Sequence, residues 1–131
     1  FTAPDLQGNP VRLSEQIDGK VALIDLWASW CGPCRRAAKS MIPVYEKYKS
    51  KGFTVVGIAR EKAMQTAVAA AAQDGYPWKI LVEIGDAGNI WSMYGVGNSG
   101  GGTFLVDRDG KILAISPTTE EVEDILKKML E

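Results

Sequence analysis

The chain has 131 residues, 46% hydrophobic and 24% charged, enough to bury the core of a single domain spanning residues 1–131. A formal net charge of −1 gives no electrostatic basis for binding nucleic acid or an anionic membrane surface, and no apolar run approaches the ~20 residues that span a bilayer. Two cysteines and no histidine exclude a His-based triad and leave a tetrahedral zinc site half built, so neither a metal nor a cofactor is expected.

The first residue is Phe1, with no basic segment leading into an apolar one. This reads as a processed or trimmed chain from which any export signal has already gone. Residues 1–10 are turn-rich, with a hairpin tip at Gln7-Gly8-Asn9-Pro10 and a short strand over 11–13. A turn opens at Ser14 and closes at Asp18-Gly19. Residues 21–28 are almost continuously apolar, as in a central strand covered on both faces, and only Asp25 interrupts them.

A helix is predicted from Gly32 or Pro33 to about residue 50, with Ala37, Ala38, Met41, Ile42, Tyr45 and Tyr48 at helical spacing, Pro43 inside it and Gly52 after it. A strand over 53–59 precedes an alanine-rich helix over 61–74, whose apolar face is read as Met64, Ala67, Val68, Ala71 and Ala72. There follow a weaker strand over 79–83, a turn over 85–89, a short helix over 90–94 and a glycine-rich loop over 95–102. Strand, Asp-Gly turn and strand fill 103–115. Thr118 and Glu121 have capping-box spacing ahead of a helix striped by Val122, Ile125, Leu126, Met129 and Leu130. Strands alternating with helices imply a mixed α/β sheet with helices on both faces.

Both cysteines lie where the strand over 21–28 gives way to the first long helix, in Trp27-Ala28-Ser29-Trp30-Cys31-Gly32-Pro33-Cys34. A Cys delivered to the first turn of a helix meets outward-pointing backbone N–H groups, which favour the reactive thiolate. A lone C-x-x-C could be half of a metal site, a structural disulfide or a redox pair. The ligands for the first are missing, and a structural bridge gains little by closing so short a loop. The redox dithiol is the simplest reading.

The same stretch resembles the active-site sequence of thioredoxins, with W-C-G-P-C intact. Ala3-Pro4-Asp5, Gly8-Asn9-Pro10-Val11, Asp74-Gly75-Tyr76-Pro77-Trp78 and Phe104 to Gly110 resemble the TlpA/ResA-type branch of thiol–disulfide oxidoreductases. The resemblance spans nearly the whole chain. It implies a thioredoxin fold, with a central mixed sheet, helices on both faces and an N-terminal β-hairpin extension. It implies that Cys31, the outer sulfur, attacks a substrate disulfide, and that Cys34, shielded behind it, resolves the mixed disulfide. Trp30, Gly32, Pro33, Gly101 and Gly102 would border the docking surface. Asp25, six residues before Cys31, would accept the Cys34 proton, directly or through water. The partners implied are disulfide-bearing proteins and a thiol electron donor, met by a monomer in the bacterial periplasm or another extracytoplasmic space.

One family feature is absent: no proline lies between Pro77 and Pro117, so the cis-proline expected before the strand at Thr103 is replaced by the glycine-rich loop over 97–102. A non-proline cis bond costs ~2.5–4 kcal/mol, so a trans, open and weakly docking loop is expected. The rival reading follows from this: a thioredoxin-fold adaptor with attenuated exchange that docks a partner or a soft metal. A peroxidase is disfavoured because no Thr-x-x-Cys motif is present. The G-x-G-x-x-G at Gly95, Gly97 and Gly100 precedes a strand instead of following one, so it is not read as a dinucleotide site. Glu61 is read as a first-turn helix acid near the place of a ResA-type active-site Glu, and Arg35, Arg36 and Lys39 as a solvated helix face.

Overall fold

The apolar run after Lys20 becomes strand β3 (Val21–Trp27), buried along its whole length. It pairs in parallel with β4 (Phe53–Glu61) on one side and antiparallel with β6 (Gly102–Val106) on the other. Strands β5 (Lys79–Ile84) and β7 (Ile112–Ile115) complete a five-stranded mixed sheet in the order β5-β4-β3-β6-β7. A strand enclosed on both edges and both faces has no solvent side for polar residues, which explains the unbroken hydrophobic run. The computed structural model describes residues 1–84, 90–93 and 101–131.

At the N-terminus β1 (Thr2–Pro4) and β2 (Pro10–Arg12) form the expected hairpin, with Ala3 opposite Val11. The Asp5 carboxylate closes its turn by accepting the backbone N–H groups of Gln7 at 2.9 Å and Asn9 at 3.0 Å. Among the described residues the helices are α1 (Leu13–Gln16), α2 (Gly32–Tyr48), α3 (Met64–Asp74), α4 (Ile90–Met93) and α5 (Thr119–Leu130). Successive strand side chains point to opposite faces. Val21, Leu23 and Trp27 pack with Met41 of α2, Ala67 and Ala71 of α3, and Val122 and Leu126 of α5. Ala22, Ile24 and Leu26 pack with Ala3, Leu13, Ile90 and Trp91. The predicted mixed sheet with helices on both faces and an added hairpin is the observed architecture, with unequal cover. The three long helices share one face, and the hairpin with two short helices covers the other.

Several boundaries differ from the sequence reading. Strand β4 continues to Glu61, so α3 begins only at Met64. Its buried residues are Ala67, Ala70 and Ala71, whereas Val68 is 40% exposed and Ala72 is exposed. A helix so rich in alanine has no unique apolar stripe, and the sheet chooses the face. Helix α2 runs through Pro43 and is followed by a 3₁₀ turn (Lys49–Lys51), which Gly52 ends at φ +102°, a left-handed conformation that favours glycine. The Thr118 capping box forms with both arms. The turn predicted over 85–89 and the loop residues 94–100, including Gly95, Gly97 and Gly100, lie outside the described residues. Among the described residues there is no cis peptide bond, and no helix is long and apolar enough to cross a membrane.

Candidate active site

Strand β3 ends at Trp27, and a tight turn carries the chain into α2, with Cys31 N–H donating to the Ala28 carbonyl at 3.1 Å. Cys31 is the N-cap of α2 with extended backbone, and its Sγ accepts the backbone N–H of Cys34 at 3.3 Å. Pro33 occupies the first turn, where no N–H is required. Cys31 and Cys34 are joined as a disulfide with Cα atoms 5.3 Å apart. The helix start thus supplies a hydrogen bond and the positive end of a dipole to the Cys31 sulfur. In this oxidised form Cys31 is only 8% exposed and Cys34 is half-buried, so accessible area does not mark Cys31 as the outer residue. What distinguishes Cys31 is its place at the cap.

Asp25 lies on the β3 face that meets the long helices, and burial alone pushes its carboxyl up to about 7. It shares a cavity of about 230 Å³ with Cys34, Gly101, Gly102, Thr103 and Pro117, large enough for several waters. Gly102 and Thr103 pair with Leu26 and Asp25 across the β3–β6 ladder. A Cβ at Gly101 would stand 1.7 Å from the Leu26 carbonyl oxygen and 3.0 Å from the Cys34 sulfur, so only glycine fits there. The two glycines expected at the docking surface therefore border Cys34 and the Asp25 cavity. Gly101 makes a close backbone approach to Leu26, and Gly102 joins the β3–β6 ladder. The remainder of the glycine-rich loop, 97–100, lies outside the described residues.

Trp30 projects at 54% exposure beside the disulfide, its ring 6.1 Å from that of Trp91. Trp91 is fully buried, donating its indole N–H to the Ile58 carbonyl at 3.3 Å. Glu83 of β5, itself buried, accepts the backbone N–H groups of Ile90 at 2.7 Å and Trp91 at 3.2 Å. A buried carboxylate thus fixes the platform behind Trp30.

Ser29 is held from two sides. Both its backbone N–H and its hydroxyl donate to the Glu61 carboxylate, which also accepts the Thr66 hydroxyl at 3.0 Å. Its carbonyl accepts Arg35 Nη1 at 3.2 Å, and Arg35 makes a two-pronged pair with Asp74, Nε to Oδ2 at 2.7 Å and Nη2 to Oδ1 at 3.0 Å. Two readings of the sequence are corrected here. Glu61 is the buried last residue of β4 and braces the active-site turn, not a first-turn helix acid. Arg35 is not part of a solvated face, whereas Arg36 and Lys39 are exposed as expected. The local sequence carries no signal for either contact, because the partners lie 32 and 39 positions apart.

The AhpC/TSA family pattern matches residues 1–115. The chain is 30% identical over 132 positions to thiol-disulfide oxidoreductase ResA of Bacillus thuringiensis (strain Al Hakam), an alignment covering 98% of this chain and 74% of that one. It is 35% identical over 118 positions to the thiol:disulfide interchange protein HelX of Rhodobacter capsulatus, covering 86% and 60%. Among solved structures it is similar to the thioredoxin domain of a thiol-disulfide oxidoreductase from Bacteroides vulgatus, with TM-score 0.87, 26% identity and coverage of 100% and 93%.

Proposed function

This chain belongs to the AhpC/TSA family, and from that premise we propose that it is a thiol–disulfide oxidoreductase that reduces disulfides of proteins outside the cytoplasm. The observation that carries the reading is the Cys31–Cys34 pair at the start of α2. Its first sulfur is capped by an N–H, and its second faces a cavity shared with a buried acid.

In the reduced protein the Cys31 thiolate attacks one sulfur of a substrate disulfide, and the other substrate sulfur leaves as a thiolate. Cys34 then gives its proton to Asp25, directly or through a water in the shared cavity. Its thiolate attacks the Cys31 sulfur of the mixed disulfide, which closes the Cys31–Cys34 bond and expels the second substrate thiol. Two protein thiols are oxidised and one substrate disulfide is reduced. A thiol donor restores the dithiol by the reverse exchange. The Asp25 carboxyl, raised to about 7 by burial, suits an acceptor that must also give its proton back near neutrality. Trp30, with Gly32 and Pro33, forms the rim against which the substrate chain lies.

The reducing direction is taken from the resemblance to the TlpA/ResA-type branch, and the intact W-C-G-P-C motif, which thioredoxin pairs with a potential of about −270 mV, is compatible with it. The extracytoplasmic placement and the protein substrates are taken from the resemblance to the TlpA/ResA-type branch, in keeping with the similarity to a thiol-disulfide oxidoreductase and a thiol:disulfide interchange protein. Trapping tests the reading: a Cys34→Ser variant incubated with disulfide-bearing proteins accumulates mixed disulfides on Cys31, released by dithiothreitol. A variant that stays bare would leave the fold as an adaptor without exchange chemistry.

A further inference from the structure

Arg35 stands in the first turn of α2, where a cation opposes the helix dipole, so local helix energetics do not explain it. Nor is it a free surface charge. Its side chain is 22% exposed and donates to Asp74 twice, to the Ser29 carbonyl and to Gln73 Oε1 at 3.1 Å. The Asp74 side chain is 4% exposed, and its Oδ2 also accepts the Tyr76 hydroxyl at 2.7 Å. Tyr76 in turn sets its ring edge-on to Trp27 of β3 at 5.1 Å. The last turn of α3, the first turn of α2 and the end of β3 are thereby locked around the segment that presents Cys31.

We infer that Arg35 and Asp74 are positioning residues that set how readily Cys31 ionises: Arg35 grips the Ser29 carbonyl and brings a cation to the turn, and Asp74 fixes that guanidinium and offsets its field. The inference rests on the exchange reading above. The fork geometry requires Arg, since a lysine ammonium is a point charge without two parallel donors. The hydrogen bonds to Arg35 hold the Asp74 carboxyl below its ordinary range, so the pair stays charged through neutral pH. Other charges around the turn are Arg36 beside Gly32, Lys39 at 4.0 Å from Asp74, Glu61 of β4 on Ser29, Arg60 of β4 over Trp91, and Asp25 of β3 near Cys34. None of these is altered in the variants below.

The two halves of the pair act on the thiolate with opposite sign. Arg35→Met removes the cation and leaves the Asp74 charge, which raises the Cys31 pKa. Asp74→Asn leaves the cation uncompensated, which lowers it. A unit charge at about 10 Å through an effective dielectric of about 40 is worth about half a pKa unit, or roughly threefold in thiolate fraction. A purely structural role would move both variants in the same direction.

The experiment measures iodoacetamide alkylation of Cys31 against pH by mass spectrometry, on the full chain carrying Cys34→Ser so that one thiol remains. Far-UV circular dichroism checks the fold of each variant. Expected are a rise for Arg35→Met, a fall for Asp74→Asn, an intermediate value for the double variant, and, for Arg35→Lys, which keeps the charge but not the fork, a value between those of Arg35→Met and the parent. If Arg35→Met does not fold, the isosteric Asp74→Asn decides alone, since its pKa must fall. Shifts of one sign, or an Asp74→Asn pKa within about 0.2 of the parent, overturn the inference while leaving the exchange reading intact. A parent Cys31 that does not alkylate at all overturns both.

Discussion

Asp25→Asn separates stability from chemistry at a single buried atom pair. Asparagine has nearly the same shape, so the packing around β3 is retained and the change is one of ionisation. The Asp25 carboxyl rises from an ordinary 3.8 to about 7 because burial disfavours the charged form. A folded-state pKa above the unfolded one means that the native protein holds a proton that the unfolded chain has released. Below about pH 3.8 both states are protonated and there is no penalty. Between there and about pH 7 stability falls as pH rises, and above pH 7 the full penalty stands. A shift of about three units corresponds to an upper bound of roughly 4 kcal/mol, and access of solvent to the adjoining cavity lowers the expected difference to about 2–3 kcal/mol. Urea unfolding of the oxidised protein from about pH 4 to about pH 9 should show the variant drawing ahead of the wild type by that amount. The same substitution removes the acceptor for the Cys34 proton. Single-turnover disulfide reduction near pH 8 should therefore slow by about 10²-fold, and the inflection near pH 7 should vanish. A stability difference flat with pH, or exchange rates unchanged over about pH 6–9, would refute the reasoning.

Two further substitutions probe the walls of the site. Gly101→Ala must displace the start of β6 from Leu26, because its Cβ has no room. It should cost about 1–3 kcal/mol or more in urea unfolding, and should speed alkylation of Cys34 in the reduced protein. Glu61→Leu strips the acceptor from the Ser29 N–H and hydroxyl, at a cost of about 1–3 kcal/mol, while Glu61→Gln keeps one acceptor oxygen and should recover part of that loss in the same assay.

The parts of this molecule that were readable from sequence are those whose cause is local. Strand β3 follows from an apolar run with no solvent face, α5 from a capping box and a regular stripe, and the Cys31 cap from a strand-Cys-Gly-Pro-Cys-helix order. Asp25 stood out because a carboxylate inside such a run needs a reason. What stayed hidden depends on distant chain segments meeting. Glu61 looks like any acid near a helix start until β4 carries it to Ser29, and Asp74 looks like the polar end of α3 until Arg35 folds back onto it. The alanine-rich α3 failed for another reason. Small residues on every side leave its orientation to the sheet, which buried Ala70 instead of Val68.

The four indoles of the chain are placed very unequally. Those of Trp27, Trp78 and Trp91 are sealed at 0%, 6% and 0% exposure, and only Trp30 meets solvent. A water-borne collisional quencher such as iodide therefore reaches a single tryptophan, the one adjoining Cys31. The protein carries an optical marker at its reactive end that needs no label, and the shielded remainder supplies an internal reference.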